Sequence, residues 1–172
     1  MMSNPIFGKD KILKFRQLSK AADKEADKLA LQIEHTISYD SNIDSQQTKD
    51  GAINYSGGLT TTIEITAVST RDAINDMLRN SVINQEILEV WEIDIGAEPM
   101  DGKYPAKYGR GLLSSWEDPA NVEDASQFST TFNVDGILQD GFVELTEEEK
   151  SEIQYTFQDT NKLGETGPEE SK

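Results

Sequence analysis

Between residues 59 and 95 the hydrophobic period of the chain changes twice, and the rest of the sequence is organised around that stretch. Residues 59–68 alternate with the period of an extended strand: Leu59, Ile63, Ile65 and Ala67 fall on one face, and Thr60, Thr62, Glu64 and Thr66 on the other. At Ser69 the period lengthens. Ser69 and Asp72 have the spacing of a capping box. Beyond them Ile74, Met77, Leu78 and Val82 form one helical stripe, with Arg71, Asn75, Asp76, Arg79 and Asn80 on the opposite side. The spacing predicts a helix over residues 71–83. Burying its four apolar side chains contributes roughly 6–12 kcal/mol gross, enough to hold one helix on a sheet. Alternation then resumes, placing Ile87, Trp91, Ile93 and Ile95 on one face of a second strand.

Upstream, Leu29, Leu31, Ile33, His35, Ile37 and Tyr39 lie on one face of a long strand beginning near Lys28, against Gln32, Glu34, Thr36 and Ser38. Leu13 and Phe15 suit an earlier strand, followed over residues 19–27 by a loop or a weak helix. Residues 40–58 are turn formers with little periodicity, including Asp40, Asn42, Asp44, Thr48, Lys49 and Asp50. So long a loop in a compact domain is usually functional or disordered, and the strands flanking it predict an extended hairpin loop that reaches a neighbouring subunit. Downstream, residues 104–116 predict a strand in which Gly109 and Gly111 mark a bulge or a close backbone approach. Residues 117–124 form an acidic loop. Phe128, Thr130, Phe132 and Val134 alternate as a further strand, and Asp135-Gly136 turns the chain. A short strand at 142–145, one or two helical turns opening at 146–149, and a last strand through Ile153, Tyr155 and Phe157 complete the pattern. The fold class that follows is mainly β with one flanking α-helix. Residues 1–28 form a basic N-terminal arm, 29–158 the β body, and 159–172 a mobile acidic tail.

At 172 residues the chain suits one domain with a real core. Its net charge of −16 argues against gripping nucleic acid or anionic membrane, which needs Lys and Arg against phosphate. The charge is uneven. Residues 1–28 carry seven Lys and Arg against four Asp and Glu, so a basic arm either docks on an acidic neighbour or is a solvated terminus. Without Cys, disulfides and thiolate chemistry are excluded. No apolar run exceeds three residues, which leaves no signal-peptide core and no membrane-spanning helix, and predicts folding in the cytoplasm of the producing cell.

Catalytic constellations are missing. The single histidine, His35, sits in the apolar row of its strand and is expected to be a hydrogen-bonded structural residue, since a general base must be accessible. Paired carboxylates such as Glu117-Asp118 and Glu123-Asp124 are no more than this composition supplies by chance. Asp40, Asn42 and Asp44 match the first, third and fifth places of a calcium loop, but Ser45 stands where a glycine is needed and Gly51 where a bidentate glutamate is needed. Neither a phosphate-binding loop nor a nucleophile elbow occurs, so no enzyme, cofactor or metal site is expected. A carbohydrate- or cation-binding β-sandwich using the 40–50 loop is the alternative, and a hydrolase a more distant one.

Several stretches together resemble the major tail protein family of bacteriophages and prophages with long non-contractile tails. They are Leu29-Ala-Leu-Gln-Ile-Glu-His35, Asp44-Ser-Gln-Gln-Thr-Lys-Asp-Gly51, Leu88-Glu-Val-Trp-Glu-Ile-Asp94, Gly102-Lys-Tyr-Pro-Ala-Lys-Tyr108, Trp116-Glu-Asp-Pro-Ala-Asn-Val-Glu123 and Ile153-Gln-Tyr-Thr-Phe157. In order, they cover most of residues 10–160, with Ile33 a minor departure where Thr is more usual. The resemblance implies a two-sheet antiparallel β-sandwich or barrel with one flanking α-helix, in a virion tail tube subunit that stacks as six-fold rings, conducts DNA to the host, and bridges rings through loops and terminal arms. Its implied partners are further copies of itself, a tape measure protein and tail terminator or tip proteins, with DNA passing without tight binding and no membrane contact. For such a channel, Gln32, Glu34, Thr36, Thr60, Thr62, Glu64 and Thr66 are the candidate lumen residues, bulk water being the alternative for the same faces. Asp40, Asn42, Asp44, Thr48, Lys49 and Asp50 are the candidate inter-ring contacts.

Overall fold

The computed structural model describes residues 3–153. In chain order the elements are β1 (Lys11–Gln17), β2 (Asp27–Lys28), β3 (Gln32–Thr48), β4 (Gly51–Val68), α1 (Ala73–Asn84), β5 (Leu88–Asp94), β6 (Lys103–Glu117), β7 (Gln127–Val134), β8 (Gln139–Glu144) and α2 (Glu147–Ile153). The chain is mainly β with one substantial flanking helix, as expected. In place of two separate sheets, all strands join one antiparallel sheet in the order β2-β1-β5-β6-β7-β4-β3, with β8 on the first half of β6.

That sheet curls back on itself. Phe15 of β1 and Phe132 of β7 have ring centroids 6.2 Å apart although β5 and β6 lie between them in the sheet. Side chains bridge the seam where no ladder does: Leu13 N donates to Gln32 Oε1 at 3.2 Å, and Gln32 Nε2 donates to Leu13 O at 3.3 Å and Leu29 O at 2.8 Å. The enclosed core unites Leu13, Phe15, Leu29, Ile63, Ile65, Ala67, Leu88, Val90, Leu113, Phe128 and Phe132. The strand expected at Leu13 and Phe15 is β1, an interior strand of the sheet with those two side chains fully buried and Lys14 and Arg16 on its other face, so residues 11–17 join the β body instead of a separate basic arm.

α1 covers this core. Ile74 and Leu78 are buried in it, and Met77 and Val82 pack partly buried against it, so the predicted stripe stands. Asn75, assigned to the outer side, is also buried and donates to Thr70 Oγ1 at 2.8 Å. The capping box does not form. Asp72 is the N-cap without a side-chain bond, and Ser69 Oγ donates to Asp118 Oδ1 at 3.0 Å. A reciprocal box closes instead at α2, where the Glu149 amide donates to Thr146 Oγ1 and the Thr146 amide to Glu149 Oε2. Ile153 belongs to α2 and not to a strand; Tyr155, Phe157 and the 159–172 tail lie outside the described residues.

β5 is buried on both faces, not one. Leu88 and Val90 join the main core, while Ile93 joins a second cluster with Ile12, Ala106 and Leu145, and Ile87 stays exposed. On β6 the expectation of close approach holds, since a Cβ on Gly111 would lie 1.8 Å from Asn133 O and one on Gly109 2.6 Å from Leu138 Cδ2. His35 is structural: its Nε2 lies 2.5 Å from Glu92 Oε2, joining β3 to β5 across the interior, with Lys11 Nζ 3.6 Å from the other Glu92 oxygen. Burial alone would raise the Glu92 carboxyl; the bonds and charges of His35 and Lys11 outweigh it and hold the group below the ordinary carboxylate range.

Because Leu78 is fully buried, Leu78→Ala is expected to cost about 2–5 kcal/mol in urea unfolding, whereas exposed Ile83→Ala stays within about 0.5 kcal/mol. A depressed Glu92 contributes stability above its ordinary pKa of about 4.3 and loses it as pH falls through the folded value. Stability is therefore expected to drop below about pH 4.5, and Glu92→Gln to flatten that acid limb in pH-dependent denaturation.

Candidate channel face and assembly surfaces

Pleating sends alternate residues of β3, β4, β7 and the second half of β6 away from the core, and pairing lines them into rungs. One rung is Glu34–Thr66–Ser129–Glu117, the next Thr36–Glu64–Thr131–Ser115, the third Ser38–Thr62–Asn133–Leu112. None of these residues is Lys or Arg, although the chain has 16 of them. Five of the predicted lumen residues lie in these rungs, and Thr60 extends the face opposite Asp40. Gln32 does not. Its partner is core residue Ala67 while Glu34 pairs with Thr66, so Ile33 is an extra, bulged residue and Gln32 turns inward to clasp the seam. Leu31, at φ 50°, and Ile33 are exposed for the same reason: they precede or form the bulge instead of continuing an apolar row.

Next to these rungs, on the same sheet face, lies a charge cluster that periodicity missed. Arg16 Nε donates to Glu89 Oε2 at 2.6 Å, Tyr108 Oη to Glu89 Oε1 at 2.6 Å, and Arg110 Nε to Tyr108 Oη at 2.8 Å. Burial would raise Glu89, but Arg16 and Tyr108 bonding carries it below the usual range, while burial pushes the Tyr108 phenol up. Its hydrogen bond to Glu89 raises Arg16 further, and that to Tyr108 does the same for Arg110. Arg16 also stacks 5.1 Å from the Trp91 ring. Both guanidiniums are thus tied to partners within the sheet. The signal available in the sequence was Glu89 itself, an acid in the otherwise apolar row of Ile87, Trp91 and Ile93.

The 40–58 loop is not a loop. β3 and β4 continue through it as a paired hairpin down to Thr48↔Gly51, turning at Lys49-Asp50. Thr48 Oγ1 closes the turn, donating to Gly51 O at 2.6 Å and accepting from Asp50 N at 3.3 Å. Asp40, Asn42 and Asp44 project from one face of an extended strand, about 6.6 Å apart in succession, a spacing that does not converge on one ion. Among the described residues no group of three or more His, Asp or Glu is placed to hold a metal.

β3 is the outermost strand, so its far edge has no sheet partner among the described residues. Along its inner side runs an open groove of about 840 Å³, lined in part by Lys11, Leu29, Ile37, Tyr39, Glu92 and Lys107. Lys107 Nζ donates to Asp140 Oδ1 at 2.8 Å, a bond that raises its pKa. On the opposite side of the rungs, β6 beyond Gly111 also lacks a strand neighbour on that side among the described residues, because β5 pairs only up to that residue.

A family model for the phage tail tube protein matches residues 5–140. A tail-assigned protein of Staphylococcus phage phiMR25 is 27% identical over 94% of this chain and 86% of its own length. The tail tube protein of Bacillus phage SPP1 is 26% identical over 96% of this chain, which spans 63% of that protein's length. Among solved structures, the SPP1 tail tube superposes with a TM-score of 0.76 at 24% identity, covering 96% of both chains. The tail of a gene transfer agent particle, refined with C6 symmetry, gives 0.61 at 15% identity over 78% of this chain and 98% of its own. No helix of the described residues is long and apolar enough to cross a membrane. The chain belongs to the family of phage tail tube proteins and is a structural subunit of a virion tail.

Proposed function

We propose that six copies form a ring whose inner wall is the rung face of β3, β4, β7 and β6, and that rings stack into the conduit for DNA. The observation that carries this reading is three rungs across four strands without a single cation in a chain that has 16. Phosphate meets Glu34, Glu64 and Glu117 there, with hydroxyls and amides between them. Such a surface repels the duplex weakly along its length and offers no counterion-releasing anchor, so DNA slides.

Dimensions support the count of six. Four strands about 4.8 Å apart span roughly 19 Å, and six such faces close a circumference of roughly 115 Å. Once side chains are allowed for, the opening is roughly 25 Å, room for one duplex. The free edge of β3 and the free half-edge of β6 flank the face on its two sides, so neighbouring copies meet there and the wall continues from subunit to subunit. The hairpin carrying Asp40, Asn42, Asp44, Thr48, Lys49 and Asp50 projects to the next ring. The tube ends meet the tape measure and the terminator or tip proteins. The subunit works by assembly, not turnover.

Replacing residues 41–59 with a two-residue Asn-Gly turn keeps the Asp40↔Thr60 pairing. This variant is expected to remain a folded monomer by circular dichroism and to form no tubes by negative-stain microscopy; tubes like those of the parent would contradict the hairpin's role. Glu34→Lys with Glu64→Lys is expected to assemble normally yet slow DNA ejection about tenfold or more, with relief at high salt. Unchanged ejection would remove these residues from the channel.

A further inference from the structure

Within that tube reading, the hairpin arm carries a second device, a single-residue bulge that turns its apolar surface over halfway along. On β3, Asn42 pairs with Gly58 and Ile43 with Ser56, which leaves Gly57 as an extra residue of β4. Gly58, at φ 113°, has a backbone conformation that suits glycine, and a Cβ on Gly57 would lie 3.3 Å from Asn42 O and displace the Asp44 carboxylate. One added residue in β4 reverses the facing of that strand beyond it, while β3 keeps its phase. Tyr39 and Leu59 (opposite Ser41), with Ile43 just past the bulge on the unbulged strand, lie on the core side of the hairpin. Past the bulge on β4, Tyr55 (opposite Asp44) and Ile53 (opposite Gln46) lie on the rung side. An uninterrupted β4 would have placed all of its odd residues together.

All five side chains are 44–66% exposed, on an arm where every residue from 40 to 60 is exposed. A two-stranded ribbon without a core is marginal in water, so each apolar patch needs a covering surface. The two patches point in opposite directions and are not covered by the same body.

We propose that one hairpin contacts two different copies of this chain. The base patch of Tyr39, Ile43 and Leu59 is continuous with the groove at the free edge of β3, which Tyr39 also lines, and is covered by the lateral neighbour in the same ring. The outer pair of Ile53 and Tyr55 lies opposite Gln46 and Asp44 of β3, roughly 13–20 Å beyond Asp40, and is covered by a copy in the next ring. Because the outer pair faces the rung side, an arm lying in the channel wall would expose isoleucine and tyrosine to DNA. The arm therefore passes behind the wall of the next ring, its rung side against that subunit.

The test uses the full-length chain. Ile53→Ser with Tyr55→Ser is expected to give rings that do not stack, and Ile43→Ser with Leu59→Ser to block ring closure itself, both read by negative-stain microscopy and sedimentation. Deletion of Gly57 retains every apolar side chain but turns the outer pair over, and tube formation is expected to be lost. As a measurement that does not depend on how that deletion folds, Tyr55→Cys in this Cys-free chain should react with a maleimide at least tenfold more slowly in tubes than in monomers. A fully reactive Cys in assembled tubes, identical defects from the two serine pairs, or normal tubes from the Gly57 deletion would each overturn the two-copy contact. Failure of the unaltered chain to form any tube would instead overturn the tube reading on which this one rests.

Discussion

A pleated strand sends successive side chains to opposite faces, and the β3–β4 hairpin depends on where that alternation is interrupted. The bulge at Ile33 swings Gln32 into the core, where its amide ties β3 to Leu13 and Leu29 and holds the curled sheet closed at its seam. Every residue beyond it then alternates in phase: His35 and Ile37 toward the interior, Glu34 and Thr36 toward the polar face. The bulge at Gly57 resets the phase again on the arm. Two inserted residues thus decide which side chains face the core, which join the polar rungs and which stand exposed on the arm.

Electrostatics follow from the same geometry. A chain of net charge −16 could spread its cations over any surface, yet the rung face carries none. The arginines nearest to it, Arg16 and Arg110, are held by Glu89 and Tyr108. Lys11 and Lys107 sit on the interior side with Glu92 and Asp140. These four cations are paired within the sheet, and the three rungs themselves carry none. The resulting sheet resembles that of solved tail tubes even where identity falls to 15%, which fits a fold specified by inward-facing apolar positions and tolerant of change elsewhere.

Much of this was legible in the residues. β4, β7 and α1 were, because each buries one face, and a half-buried element prints its period on the sequence. The 40–58 arm looks like a loop in the sequence because a ribbon exposed on both faces has no apolar alternation to show, and its turn formers, Gly57 and Gly58 among them, hide the pairing. β1 shows its strand at Leu13 and Phe15, but Lys11, Lys14 and Arg16 around them give it the composition of a basic arm, because their partners Glu92, Glu149 and Glu89 are distant in sequence. The sequence pattern places Gln32 on the polar face, since a one-residue bulge leaves no compositional mark. Glu89 and Glu92 escaped notice because β5 is covered on both sides, where alternation carries no information.

The most direct test of this account is a helical cryo-electron microscopy reconstruction of tubes grown from the purified chain, at a resolution that places side chains. Glu34, Thr66, Ser129 and Glu117 should face the lumen as one rung in each of six subunits, with the arm behind the wall of the adjoining ring. A tube showing that rung on its outer surface or buried between subunits would contradict the account.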